Sequence, residues 1–397
     1  MQQGRPVSHS QFSPFWPVFV DEIIPTWVKR TYSQKESWKS KPFTQQDAHF
    51  FYQGIEELSD LFTEERPSHM PAYFNHAKFR SSYLLYFLPL QAAKFTVLFE
   101  QHSLAMKAAL EFAHQQDVYR VLDLGSGPGT ASIALLLRLL QEKKPLPPIE
   151  FHWVDTNAAI LKDGEELVAA IVEKNPKLKG KLTVRSYVGR WEKTQIDSGP
   201  PFALTLLGNV INEIPGASAL EKQAAHRQLI KYFECTRGGG MLFVEPAAKL
   251  PSQGLSLLRN EFFESGILQE PTSLWGPCLH SGTCPMSEGR DWCHFSVPVQ
   301  IPGNWFKRFS KGLGSERQWA KYSYLWLAAT DHPAPAPKKT MRRVISDQLP
   351  GPLGKKALLL CEPNQVLRHP LPRHPKSSLR RGDLLDVGRP SQRGPTN

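Results

Sequence analysis

The chain has 397 residues, 41% apolar and 21% charged, with a formal charge of +11 and a pI near 9.3. That length gives room for two or three domains, each with its own core, and the charge favours a polyanionic partner. No run approaches the eighteen or so uninterrupted apolar positions of a membrane helix, and residues 1–17 lack secretory and organelle-targeting patterns, so a soluble, cytoplasmic monomer without a membrane role is expected.

Residues 1–115 read as a helical N-terminal domain. Ala72 to Phe112 is rich in Leu, Phe, Tyr and Ala, is interrupted by Pro89, and never alternates at period two for long. Lys78, Arg80, Tyr83 and Lys94 suit either an RNA-facing surface or the solvated side of a helical core. From 116 to 266 short apolar runs alternate with longer amphipathic stretches. Arg120–Leu124, Glu150–Val154, Leu182–Tyr187, Phe202–Leu207 and Met241–Val244 are predicted strands; stretches near 130–142, 157–174, 217–235 and 252–265 are predicted helices. This is the pattern of a parallel sheet covered by helices on both faces, a Rossmann-like α/β fold. Residues 267–332 are Pro-, Gly-, Cys- and Trp-rich, and their alternating runs His294–Gln300 and Tyr322–Ala329 are expected to complete the sheet as an antiparallel pair. Pro333 to Pro337 reads as a linker. Residues 333–397 form a basic tail with Lys355–Cys361 as a lone strand. From Asp331 onward 13 Lys/Arg face 5 Asp/Glu, which is +8 of the +11. Such a tail suits RNA, although a solvated, partly disordered tail has the same composition.

The informative motif is Val121-Leu122-Asp123-Leu124-Gly125-Ser126-Gly127-Pro128-Gly129-Thr130, an apolar strand entering glycines at alternate positions and then the apolar helix Ala131–Leu140. Glycines allow a sharp turn and leave no Cβ between backbone and ligand. A nicotinamide site normally has glycine at the first, third and sixth positions of the turn; here the fifth is Gly129 and the sixth Thr130. The form resembles motif I of class I S-adenosylmethionine-dependent methyltransferases. Asp155, at the end of the second strand, offers an acceptor-only carboxylate suited to the two hydroxyls of a cofactor ribose, or else to capping the helix after Asn157. Asn209 and Asn212, in the loop after the fourth strand, lie where such folds bind ligands, with helix capping as the alternative. Candidate cofactor residues are thus Asp123, Gly125, Ser126, Gly127, Pro128, Gly129, Asp155, Asn209 and Asn212. No residue stands out as a catalytic base.

Five cysteines without a secretion signal argue against a disulfide framework. Cys278, Cys284 and Cys293 fall in one irregular stretch, and Cys361 supplies a fourth thiol from the tail. Four thiolates suit tetrahedral zinc or an iron-sulfur cluster, with His280 and His294 as substitutes in a zinc site.

With these residues assembled, the chain from about Tyr73 to Asp383 resembles the methyltransferase-like proteins associated with the mitochondrial small ribosomal subunit, and their bacterial relatives. The resemblance rests on Val121–Thr130, Asn209–Ile214, Gly239–Pro246, Gly276-Pro277-Cys278, Cys284-Pro285 and Asp291-Trp292-Cys293-His294-Phe295. It implies S-adenosylmethionine as cofactor, small-subunit rRNA as partner in assembly or methylation, and a [4Fe-4S] cluster on Cys278, Cys284, Cys293 and Cys361. The chain departs from that family at Ala247, where glycine is usual, and at Ala203, where an acid commonly opens the fourth strand; both departures bear on turnover rather than on fold.

Overall fold

A computed structural model describes residues 12–33, 36–63, 72–197, 199–211, 219–314, 319–350, 355–371 and 379–388. Eight strands form the main sheet: β1 (Tyr119–Leu124), β2 (Ile149–Asp155), β3 (Leu182–Val188), β4 (Leu204–Gly208), β5 (Met241–Glu245), β6 (Leu274–Gly276), β7 (Phe295–Pro298) and β8 (Trp319–Leu327). Their order is β3-β2-β1-β4-β5-β8-β6, with β7 also paired to β8. Strands β1 to β5 are parallel, Val121 lying between Phe151 and Leu204, whereas β8 runs antiparallel to β5 and to both β6 and β7. This is the sheet of a class I methyltransferase fold. The helices Thr130–Leu139, Ala158–Lys174, Ala219–Glu234 and Lys249–Glu264 connect the parallel strands or follow them.

All six residues of β1 are buried, as expected of a central strand covered on both faces. Arg120 is tolerated there because its guanidinium reaches the Pro200 carbonyl and Glu150 and lies 4.7 Å from the Phe202 ring centroid. The fourth strand begins two residues later than predicted: Phe202 instead makes a parallel bridge to Thr236. The chain leaves β1 toward β2 and β3, then returns to β4 on the other side, so the carboxyl ends of β1 and β4 flank the switch point where ligands of such sheets bind.

Among its described residues, the N-terminal unit between Trp16 and Gln115 is built of helices and helical turns. Pro89 does not interrupt it. Residues Ala77–Gln101 form one continuous helix of 25 residues, with a wider π turn at Tyr83–Phe87 just ahead of the proline. A turn of that kind accommodates the lost N–H and the ring of proline without breaking the axis. By length and composition this helix is also apolar enough to cross a membrane, although Lys94 interrupts its apolar run. Yet 83% of its most apolar window is buried, and it packs against Thr130–Leu139 as a core helix.

Residues 341–386 hold a second sheet where a lone strand was expected. Its strands are β9 (Met341–Val344), β10 (Leu349–Pro350), β11 (Lys356–Glu362), β12 (Gln365–Pro370) and β13 (Leu384–Asp386). The central β11 pairs with β9, β10 and β12, and β13 pairs with β9. Strands of two to four residues are too short for an alternating pattern to register, and the small core of Val344, Leu358, Leu360 and Leu371 is assembled from separate segments.

Candidate functional site

The glycine turn occupies the switch point. Gly125, Gly127 and Gly129 all adopt positive φ, at 64°, 53° and 75°. At two of them the fold also forbids a side chain: a Cβ on Gly125 would sit 2.4 Å from the Val210 side chain, and one on Gly129 would sit 2.1 Å from the Trp153 ring. Glycine is therefore needed for conformation and for packing alike. Ser126 donates its N–H to the Val154 carbonyl (3.1 Å), and the Pro128 backbone lies against Gly164 of the Ala158–Lys174 helix.

Asp123 and Asp155 are handled differently. The Asp123 carboxylate is buried and accepts from the Ser132 N–H (3.1 Å) and hydroxyl (2.7 Å), while Trp153 donates to that same hydroxyl (2.9 Å). Burial pushes its carboxyl up to about 7, with the Ser132 bonds opposing. Asp123 thus ties the strand to the first turn of the next helix. Asp155 accepts from the Gly127 N–H through one oxygen and from the Asn157 N–H through the other, both at 2.9 Å. Burial raises its carboxyl too, against these backbone bonds. An ionised carboxylate has about four lone-pair sites, so capacity remains for a diol. Asn157 itself caps the next helix by accepting from the Ile160 N–H (3.0 Å). Beyond Asp155, whose carbonyl accepts from the Gly189 N–H (2.9 Å), a groove of about 490 Å³ is lined by Tyr187, Val188, Gly189, Arg190 and Lys193–Gln195.

On the other side, Asn209 has φ 60° and donates its N–H to the Val244 carbonyl (2.8 Å). Two residues on, the Ile211 N–H is held by the fully buried Glu245 carboxylate (2.8 Å). Asn212 lies outside the described residues. Sequence reasoning missed a third side of the site. Phe74 places its ring edge 3.7 Å from the position of a Cβ on Gly127, and Asn75 accepts from the Asn157 amide (2.8 Å). Both belong to the short 3₁₀ turn Tyr73–Asn75 of the N-terminal unit, a segment with no motif of its own.

The four sequence-singled cysteines come from separate places: Cys278 just after β6, Cys284 in the irregular loop, Cys293 just before β7, and Cys361 within β11. Burial pushes the thiols of Cys284, Cys293 and Cys361 above their ordinary range, and the neighbouring thiols add to the effect, whereas Arg343 pulls Cys293 and Cys361 the other way. Cys278, Cys284, Cys293 and Cys361 therefore sit close enough to sense one another's charge. Among the described residues, however, no group of three or more Cys, His, Asp or Glu side chains stands closed as a metal-holding set. His280 lies 3.3 Å from the Cys361 sulfur through Nε2, and burial followed by Arg259 lowers its imidazole to about 4. His294 instead faces the Trp292 carbonyl through Nδ1 (3.2 Å) and stacks on the Trp292 ring.

The loop is anchored by polar contacts. Arg259 donates to the Gly282 carbonyl (2.6 Å), Asn260 accepts from the Cys284 N–H (2.9 Å), and Trp292 donates to the Ala247 carbonyl (2.8 Å). Arg343 joins the second sheet to it by donating to the carbonyls of Pro277 (3.0 Å) and Gly382 (2.7 Å).

A family model described as mitochondrial small ribosomal subunit Rsm22 matches residues 80–373, which include the glycine turn and all four of these cysteines. No curated protein matches in sequence. Similar solved structures include a Listeria monocytogenes protein placed among class I S-adenosylmethionine-dependent methyltransferases, at 12% identity and TM-score 0.35, covering 81% of this chain and 91% of that one. The METTL16 methyltransferase domain has 12% identity and TM-score 0.29 over 61% of this chain and 80% of its own. Human N-acetylserotonin methyltransferase in complex with its methyl donor has 15% identity and TM-score 0.25 over 53% and 54%.

Proposed function

Because the chain belongs to the Rsm22 family of the mitochondrial small ribosomal subunit, we propose that it binds small-subunit rRNA and S-adenosylmethionine and carries a [4Fe-4S] cluster on Cys278, Cys284, Cys293 and Cys361. The observation that carries this reading is the extent of the family match, 80–373, which takes in the cofactor turn and the cysteine site together.

The residues present suit both groups. Around the glycine turn, three positive-φ glycines bring bare backbone to the switch point, and Asp155 presents a fixed acceptor beside it. S-adenosylmethionine supplies an electrophilic methyl carbon when bound. The protein's part is to hold the ribose hydroxyls on Asp155 and to pack the turn against Val210 and Trp153. At the second site the candidate donors are four soft thiols, of which burial raises the proton affinity of Cys284, Cys293 and Cys361, with Arg259 and Arg343 acting against that rise. Metal ligation requires thiolates, and the two guanidinium groups offset the negative charge that four thiolates accumulate. His280, beside Cys361, gives a zinc site an alternative ligand, and this contact favours zinc as the second reading.

Anaerobic purification with iron, sulfide and zinc analysis, followed by co-sedimentation with small subunits, tests the proposal. Iron and acid-labile sulfide in a four-to-four ratio per chain and recovery with the subunit are expected. Stoichiometric zinc without sulfide overturns the cluster, and absence from the subunit fraction overturns the rRNA role.

A further inference from the structure

The Asp155 carboxylate faces backbone donors at Asn157, Gly127 and Thr156, and the first two of these are each braced by one residue of the N-terminal unit. The Gly127 N–H fixes one carboxylate oxygen, and the Phe74 ring lies over Gly127. The Asn157 N–H fixes the other oxygen, and Asn157 is tied through its side-chain amide to the Asn75 carbonyl oxygen. The brace is anchored at a second point. Arg80 donates to the Phe74 carbonyl (2.8 Å) and, through Nε, to Asp163 (2.9 Å), on the same helix that Asn157 caps. Tyr32 donates to Asp163 as well. The Tyr73–Asn75 turn is therefore tied to the N-terminal part of the Ala158–Lys174 helix at two points, directly at Asn157 and through Arg80 at Asp163.

We propose that Phe74 and Asn75 are positioning residues of the cofactor site, which set the orientation of the Asp155 carboxylate by holding Gly127 and Asn157, the donors to its two separate oxygens. This rests on the assignment of S-adenosylmethionine to the glycine turn and extends the site to a part of the chain without a recognisable motif. The carboxylate can bind a diol bidentately only if both oxygens face it at once, and freeing either donor lets the group rotate. The helical unit is thereby a component of the binding site rather than an independent attachment.

Calorimetry on the full chain with S-adenosylmethionine and S-adenosylhomocysteine tests this, using Asn75→Ala, Phe74→Ala, Phe74→Tyr, Asp155→Ala and the double variant Asn75→Ala/Asp155→Ala. Asn75→Ala and Phe74→Ala are expected to weaken both ligands about three- to tenfold, the loss of roughly one hydrogen bond's net worth, while Phe74→Tyr keeps wild-type affinity. In the Asp155→Ala background, Asn75→Ala should cost nothing further, since residues acting through one group are not additive; an unrelated packing defect would add. Ligand should also slow amide hydrogen exchange across Ala72–Arg80 together with the glycine turn. Wild-type protein that binds neither ligand refutes the cofactor assignment itself. Wild-type binding with unchanged affinity in Asn75→Ala and Phe74→Ala, or full additivity with Asp155→Ala, overturns the positioning role alone.

Discussion

Two carboxylates thirty-two positions apart show how environment separates residues that a motif treats alike. Asp155 keeps both oxygens on backbone donors at the edge of the turn, so Asp155→Ala is expected to lower S-adenosylmethionine affinity about ten- to a hundredfold, the value of charge-assisted bonds. Unchanged affinity in a titration would remove the ribose role. Asp123 is buried against Ser132, and its carboxyl stands near 7 in the folded chain against about 3.9 for a free aspartate. The folded state therefore holds the extra proton between those two values, and its stability falls as pH rises from about 4 to 7. Asp123→Asn should flatten that part of the stability curve, a change on the order of 2–4 kcal/mol across the interval. Denaturant midpoints measured at pH 4.5 and pH 7.5 for both proteins check the sign; parallel curves would contradict it.

At the scale of elements, the junction that matters most is between the cysteine loop and the second sheet. Arg343 holds Pro277 on one side and Gly382 on the other; it opposes the rise of the Cys293 thiol and, after Arg259, that of Cys361. Arg343→Gln should lose two hydrogen bonds, about 1–3 kcal/mol, and should lower iron retention during purification. Cys361 reaches the loop from β11, so the proposed ligation pins the basic tail to the main sheet. Cys361→Ser is expected to give less iron, a protease-sensitive segment after about Thr330, and poorer association with the small subunit, with S-adenosylmethionine binding intact. Full metal content in that variant would exclude the four-cysteine arrangement.

Over the whole molecule the charge is uneven, with +8 of the +11 after residue 330. If about five phosphates are neutralised, log affinity for rRNA falls against log salt with a slope near −3.5 to −4.5. Removing residues 366–397 to test this also removes most of β12 and all of β13, so substitution is the cleaner experiment. Lys338, Lys339, Lys355 and Arg368 are exposed. Their joint replacement by Gln should reduce the slope by about 0.7–0.9 for each phosphate no longer neutralised, and an unaltered slope would assign phosphate binding to another face.

The parallel core was legible in the sequence because β1 to β5 are apolar runs separated by helix-length stretches, and because Gly125, Gly127 and Gly129 announce a turn that local sterics demand. The antiparallel pair was legible from the alternating runs His294–Gln300 and Tyr322–Ala329, although the observed strand begins earlier, at Trp319. These are signals between near neighbours in the chain. The position of Phe74 and Asn75 over the turn was not legible, since their partners Gly127 and Asn157 lie some fifty to eighty residues away and only packing of the Ala77–Gln101 helix brings them there. Nor was the second sheet, whose strands of two to seven residues owe their pairing to one another and to the arginines that bridge them. The sequence alone determined the family and the glycine turn after the first strand. Tertiary structure decided which groups face the turn and that Cys361 comes from a strand of the second sheet rather than from the loop of the other three, because those depend on long-range packing that no local pattern encodes.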